Sequence, residues 1–153
     1  MKNKTRSFLR FWSWILFTVY LGLLVYFLFF AEAMGRNFIE RSYQYNLIPF
    51  HEIRRFLVYR QILGTQVVIL NLVGNIVAFF PFGFFLPLLL HKLRYFGKTI
   101  CFGMLFSVLV ETIQLFSMVG SFDVDDIILN TFGTMIGYIG FEIANKVRSI
   151  YRK

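Results

Sequence analysis

The sequence predicts an all-α integral membrane protein: a bundle of about four transmembrane helices, with an additional helix lying flat in the outer interface. Three observations carry that expectation. Of 153 residues, 58% are hydrophobic and 20% aromatic, and only 16% are charged, against about 45–50% apolar and about 25% charged in a soluble domain. A chain of this length exposes too much surface to hide that excess in a core. The apolar residues also gather into four runs close to the length of about 20 residues that a bilayer demands. A soluble globular enzyme, a disordered tail and a collagenous chain are excluded.

The first run covers 11–30 and follows Lys2, Lys4, Arg6 and Arg10. Its start has the form of a secretory signal, and Ala31-Glu32-Ala33 has the small-x-small form of a cleavage site. The run exceeds the roughly 7–15 residues of a signal core, which favours an uncleaved anchor. The second run covers 66–90, the third 99–119 and the fourth 127–144. Lys92, Arg94 and Lys98 join the second to the third, and Lys146, Arg148, Arg152 and Lys153 follow the fourth. The turn between the third and fourth holds Asp123, Asp125 and Asp126 and no basic residue. Basic residues concentrate on the cytoplasmic side, so both termini and the middle loop are expected inside and the acidic turn outside. The net charge of +8 then reports topology and anionic lipid headgroups, with no nucleic acid as partner. A lone cysteine, Cys101, excludes an intrachain disulfide.

Segment 31–65 departs from this scheme. It falls outside, yet holds Arg36, Arg41, Arg54, Arg55 and Arg60. Phe50, Ile53, Phe56, Leu57, Ile62 and Leu63 recur between those arginines at loosely helical spacing. A helix lying in the outer interface accounts for both features; a solvated loop is the alternative. No internal repeat or domain boundary is present, so 1–153 reads as a single membrane domain.

Polar residues inside apolar helices carry the functional signal, because each costs free energy there. Asn71 and Asn75 share one face of the second span with Ala78 and Phe82; Ser107, Glu111 and Gln114 share a face of the third; Asp126, Asn130, Gly133 and Gly137 share a face of the fourth. With a rise of about 1.5 Å per residue, Asn75 and Glu111 each fall about 12 Å inside their outer helix ends, and Asn71, Gln114 and Asn130 about 6–8 Å. Similar depth on three helices predicts one shared polar cluster. For Asn71, Asn75 and Asn130 interhelical hydrogen bonds are the favoured explanation. Glu111 is less easily dismissed: an ionised carboxylate at mid-span costs about 2.5–3.5 kcal/mol or more, which a structural role avoids by using Gln.

Gly133, Gly137 and Gly140 predict close helix packing. Pro81 removes an N–H and predicts a hinge, a break or a bend in the second span. Trp12, Trp14, Tyr95 and Tyr138 fit an interfacial belt. The box Phe122-Asp123-Val124-Asp125-Asp126 offers helix-capping oxygens or ligands for a hard divalent cation. It lacks the EF-hand pattern, and no HExxH, GxSxG or P-loop motif occurs in the chain.

Four blocks in order, Asn46-Leu47-Ile48-Pro49-Phe50, Asn71-Leu72-Val73-Gly74-Asn75 running into Phe80-Pro81-Phe82-Gly83, Glu111-Thr112-Ile113-Gln114, and Phe122-Asp123-Val124-Asp125-Asp126 continuing to Gly133, resemble the VanZ-like family over 46–138. Many members carry an arginine just ahead of the acidic box, where this chain has Gly120-Ser121, so an anion-binding role there does not carry over. The resemblance implies a multi-pass protein of the bacterial plasma membrane, in a family whose name-giving member lowers susceptibility to the glycopeptide antibiotic teicoplanin. The leading expectation is an outer-leaflet polar pocket for a lipid or lipid-linked molecule. Asn71, Asn75, Glu111, Gln114, Asp123, Asp125, Asp126 and Asn130 are its candidate residues, with no cofactor. The alternative is a membrane enzyme acting on a polyprenyl or phospholipid phosphate, with Glu111 and the acidic box holding a divalent metal. A third reading is an assembly partner whose amides and glycines only pack helices.

Overall fold

In the computed structural model, residues 2–27, 29, 45–118 and 120–150 are described. The Ala31-Glu32-Ala33 triplet, Arg36, Arg41, Arg152 and Lys153 lie outside them. Four long helices dominate: α1 (Lys2–Tyr26), α4 (Thr65–Leu89), α5 (Phe96–Ser117) and α6 (Val124–Ile150). Two short helices, α2 (His51–Val58) and α3 (Arg60–Leu63), precede α4. A single 3-10 turn, His91–Leu93, joins α4 to α5. Among the described residues, α4, α5 and α6 are long and apolar enough to cross a membrane, and α1 carries a shorter apolar stretch, Arg10–Tyr26.

Burial is inverted relative to a soluble protein. Thr99, Ser107, Glu111, Gln114, Asp125, Asn130 and Thr134 are buried, while Leu70, Val77, Phe102, Leu105, Phe116 and Ile143 are exposed. Water would penalise that arrangement; hydrocarbon rewards it, because the outward groups are apolar and the inward polar groups find partners.

The core is assembled from opposed pairs. Phe17 of α1 packs on Phe82, and the Tyr20 hydroxyl donates to the Ala78 carbonyl at 2.7 Å, so α1 runs antiparallel to α4. Phe82 also stacks on Phe106 of α5 at 4.8 Å between ring centroids. The most extensive packing joins α4 to α6. A Cβ on Gly133 would overlap the Ile76 carbonyl, one on Gly137 the Phe80 carbonyl, and one on Gly83 the Thr134 carbonyl. Here the small-residue stripe of the fourth span does what its spacing predicts: it lets two backbones touch.

Pro81 and Pro87 lie within one uninterrupted helix. Of the alternatives hinge, break and bend, the break is therefore excluded, and Tyr20 donates to the Ala78 carbonyl, next to the Val77 carbonyl that Pro81 leaves without its helical donor. The segment expected as an interfacial helix is helical in two pieces, with Ile53 and Phe56 turned partly inward and Arg54, Leu57, Val58 and Ile62 exposed. Gly64, at φ 86°, makes the corner from α3 into α4 in a backbone region that glycine enters without a Cβ penalty. One element has no helical period to announce it: β1 (Tyr45–Asn46) pairs in parallel with β2 (Phe122–Asp123), in the register Tyr45↔Phe122 and Asn46↔Asp123.

Candidate functional site

The pairing of β1 with β2 brings the acidic box onto the segment before α2. Asp125, with 1% of its surface exposed, accepts the backbone N–H groups of Phe50, Glu52 (2.7 Å) and Ile53 (3.1 Å). These are orphan donors at the start of α2, and the carboxylate also meets the positive end of that helix. Asp125 is thus a helix cap supplied in trans, from a distant part of the chain. It also holds Phe50, which sits in the left-handed region at φ 64°, where a side chain with a Cβ is strained.

Asp123 and Glu111 complete this brace. Asp123 Oδ1 accepts from Asn46 Nδ2 at 3.0 Å and from the Asp125 N–H at 2.8 Å. The Asp123 N–H donates to Glu111 Oε2 at 3.1 Å. Burial pushes the Asp123 carboxyl above the usual carboxylate range; the bonds from Asp125 and Asn46 pull it down, and the nearby carboxylates of Asp125 and Glu52 add to the rise. The Gln114 side chain is also buried, and its backbone carbonyl accepts the Gly120 N–H where the chain turns out of α5 through Met118 at φ 53°. Deeper in the bundle, Asn130 Nδ2 donates to Ser107 Oγ at 2.9 Å, and Asn130 Oδ1 is buried without a partner among the described residues.

The remaining candidates face elsewhere. A cleft of about 580 Å³ lies between α1 and α4, within the range of about 300–1,000 Å³ typical of pockets for single small molecules. Leu23, Leu24, Leu70 and Val77 supply its apolar walls, with Tyr20 and Pro81 also in the lining. Asn71, Asn75 and Asp126 also line it, and Asn75 Nδ2 bonds Asp126 Oδ1 at 2.5 Å. Asn71 donates to the Val67 carbonyl one turn back, at 2.8 Å.

The eight candidate residues therefore divide between two places. Asn71, Asn75 and Asp126 meet at the cleft; Glu111, Gln114, Asp123, Asp125 and Asn130 are buried in the bundle and its brace. Helical spacing groups candidates by level but leaves azimuth open: groups at one level can point to opposite sides of a helix. Among the described residues no group of three or more Asp, Glu, His and Cys side chains is arranged to hold a metal. Both Asp125 oxygens accept backbone N–H groups, and Glu111 accepts one on Oε2. Tyr20 has no distinguishing mark in the sequence, where it reads as one more aromatic in an apolar run. Asn46 and Gly74 fall inside the family blocks but are not among the candidate site residues.

No solved structure matches this chain. Protein VanZ of Enterococcus faecium is 29% identical over 76 residues, which are 50% of this chain and 47% of that protein. The chain thus spans about half the length of the curated relative it matches. The model of the VanZ/LLP1 family matches residues 17–145, which take in α4 to α6 up to Asn145, the brace and the cleft. The chain belongs to the VanZ/LLP1 family.

Proposed function

We propose that this protein acts in a bacterial plasma membrane by taking a hydrocarbon chain of a lipid or lipid-linked molecule into the cleft between α1 and α4. The head of that molecule rests at Asn71, Asn75 and Asp126, and through this binding the protein contributes to resistance against glycopeptide antibiotics of the teicoplanin type. The observation that carries the reading is the cleft itself: apolar walls along two membrane helices, with two amides and a carboxylate in the lining. Such a combination suits an amphiphile, whose tail replaces bilayer contacts at little cost and whose head finds hydrogen bonds. Membership of the VanZ/LLP1 family supports the link to resistance.

The proposed orientation has both termini in the cytoplasm. It is supported by the basic residues Lys92, Arg94, Lys98, Lys146 and Arg148, which lie toward the end of the bundle away from the acidic box. The amides and the carboxylate of the cleft then face the cell exterior, the side from which a glycopeptide approaches.

Gly74 provides the test. It lines the cleft, and a Cβ there meets nothing within 4 Å, so Gly74→Leu fills the cleft without disturbing a packed backbone. Expressed in a susceptible Gram-positive host, the wild type should raise the inhibitory concentration of teicoplanin. Gly74→Leu, at equal abundance, should return it to the host's level and lose any lipid retained by the wild type in native mass spectra. Full protection by Gly74→Leu would remove the cleft from the mechanism.

A further inference from the structure

The arginines that resist the topology rule have a second use. Arg54, Arg55 and Arg60 are exposed on α2 and α3, at the end of the bundle where α4 begins. Arg55 bonds Glu52 at 2.8 Å, while its own side chain remains half exposed. Leu57, Val58, Tyr59 and Ile62 are exposed between and beside these cations, Ile62 at 81%. Water alone explains the arginines and not the apolar groups; hydrocarbon alone explains the reverse. Two constraints fix the level of this surface. Only Gly64 separates α3 from α4, the helix that crosses the bilayer, and Asp125 in the first turn of α6 pins the start of α2. A helix pair tied at both ends to the mouths of membrane spans lies at the boundary between hydrocarbon and headgroups.

We propose that α2 and α3 form a docking surface for anionic phospholipid headgroups of the adjoining leaflet. The guanidinium groups of Arg54, Arg55 and Arg60 meet lipid phosphates, while Leu57, Val58 and Ile62 enter the acyl region. Arginine suits this place: its stem lies along apolar surface while its planar head donates two parallel hydrogen bonds to phosphate. Charge complementarity selects the occupant, since Glu52 is the acidic residue among the described residues of these two helices. The surface is separate from the cleft, and neither assignment depends on the other.

The test uses the full chain in nanodiscs and native mass spectrometry with equal phosphatidylglycerol and phosphatidylcholine. The wild type should retain phosphatidylglycerol in preference, and rising salt should weaken that preference by screening. Each cation near an anionic surface contributes a factor of about five, so R54Q/R55Q/R60Q should lower the preference by tenfold or more. K146Q/R148Q, at the other end of the bundle, should lower it far less than the triple substitution does, and millimolar inorganic phosphate, which competes only at a site for free phosphate, should leave it unchanged. Equal retention of both lipids by the wild type overturns the proposal. So does a preference that survives the triple substitution, one that is lost with K146Q/R148Q instead, or one displaced by inorganic phosphate. Should the triple variant not fold, R60Q and the salt titration of the wild type decide, and a preference insensitive to both overturns the proposal. Lipid held in the cleft is read separately through Gly74→Leu.

Discussion

The two sides of α4 make different use of the same residue. Gly83 faces α6, where a single added methyl group would overlap the Thr134 backbone; Gly74 lines the cleft toward α1, where the same methyl group meets open space. One side is a seam closed to the backbone, the other a gap wide enough for a ligand. Glycine on a membrane helix thus marks either the tightest or the loosest place, and only the neighbour decides which. The largest effect expected from breaking this contrast is at the seam. Gly83→Ala and Gly137→Ala each force backbone apart where no flexible side chain can yield, and overpacking of this kind costs about 1–3 kcal/mol, occasionally more. Thermal unfolding followed by size exclusion should show both variants unfolding well below the wild type. Gly74→Ala should leave the transition in place. Equal tolerance at positions 74 and 83 would mean that the two sides of α4 are alike.

Neighbouring aspartates extend the comparison. Asp125 is sealed and caps α2, whereas Asp126, one residue on, reaches the cleft and Asn75. Asp125→Ala strips an acceptor from three N–H groups, and each buried donor left unmade costs about 1–3 kcal/mol. Water at the freed helix end recovers much of that, so a net loss of about 2 kcal/mol, the upper end for a lost helix cap, is expected, localised to α2. Limited trypsin digestion checks it: cleavage after Arg54 and Arg55 should accelerate in Asp125→Ala and stay at the wild-type rate in Asp126→Asn. Unchanged cleavage in both would show that α2 is held by something other than its cap.

The sequence reveals the seam better than the cleft, for physical reasons. Apolar runs, charge asymmetry and the Gly133–Gly137 spacing are periodic signals, and each maps to one helix or one packed face. The helical span bounds agree with those runs to within about a turn, apart from the N-terminal part of α1, which begins at Lys2, and the C-terminal part of α6, where helical bonding continues to Ile150 after apolar content falls off. The joining of Asn46 to Asp123 is a long-range pairing of two-residue strands and has no period at all. Glu111 stands out as a buried carboxyl, but it accepts a backbone N–H in the following turn, and backbone groups are invisible to any inspection of side-chain types. The cleft was legible only in part: Asn71 and Asn75 mark the right face of α4, yet the gap depends on how far α1 stands away, and Tyr20 sets that distance from the far side.

That dependence gives the next prediction. Tyr20 donates to the Ala78 carbonyl across the cleft floor, so Tyr20→Phe removes one interhelical hydrogen bond while keeping the ring that stacks on Phe17. The expected loss is about 1 kcal/mol. It falls between α1 and α4 and leaves the α4–α6 seam intact. Amide hydrogen exchange in α1 should then be faster than in the wild type, with exchange across α4 and α6 unchanged. Identical exchange would place the hold on α1 in the Phe17, Phe82 and Phe85 packing alone.

The smallest effect concerns pH and separates the brace from the cleft once more. Asp123 is buried, and its carboxyl is raised above its ordinary value of 3.8, chiefly by desolvation. An acid whose folded-state value is raised binds its proton more tightly in the native protein. Between 3.8 and the raised value the native state therefore carries more protons than the unfolded state, and stability falls as pH rises through that window. Asp123→Asn removes the ionisation yet keeps an amide oxygen able to accept from Asn46 and from the Asp125 N–H. At neutral pH the variant should melt no lower than the wild type, and the gap should close as pH is lowered through the window. Melting curves of both proteins between pH 4 and 7 test this. A wild type that instead gains stability over Asp123→Asn with rising pH would show that the bonds from Asn46 and Asp125 outweigh burial, making the charge itself part of the brace.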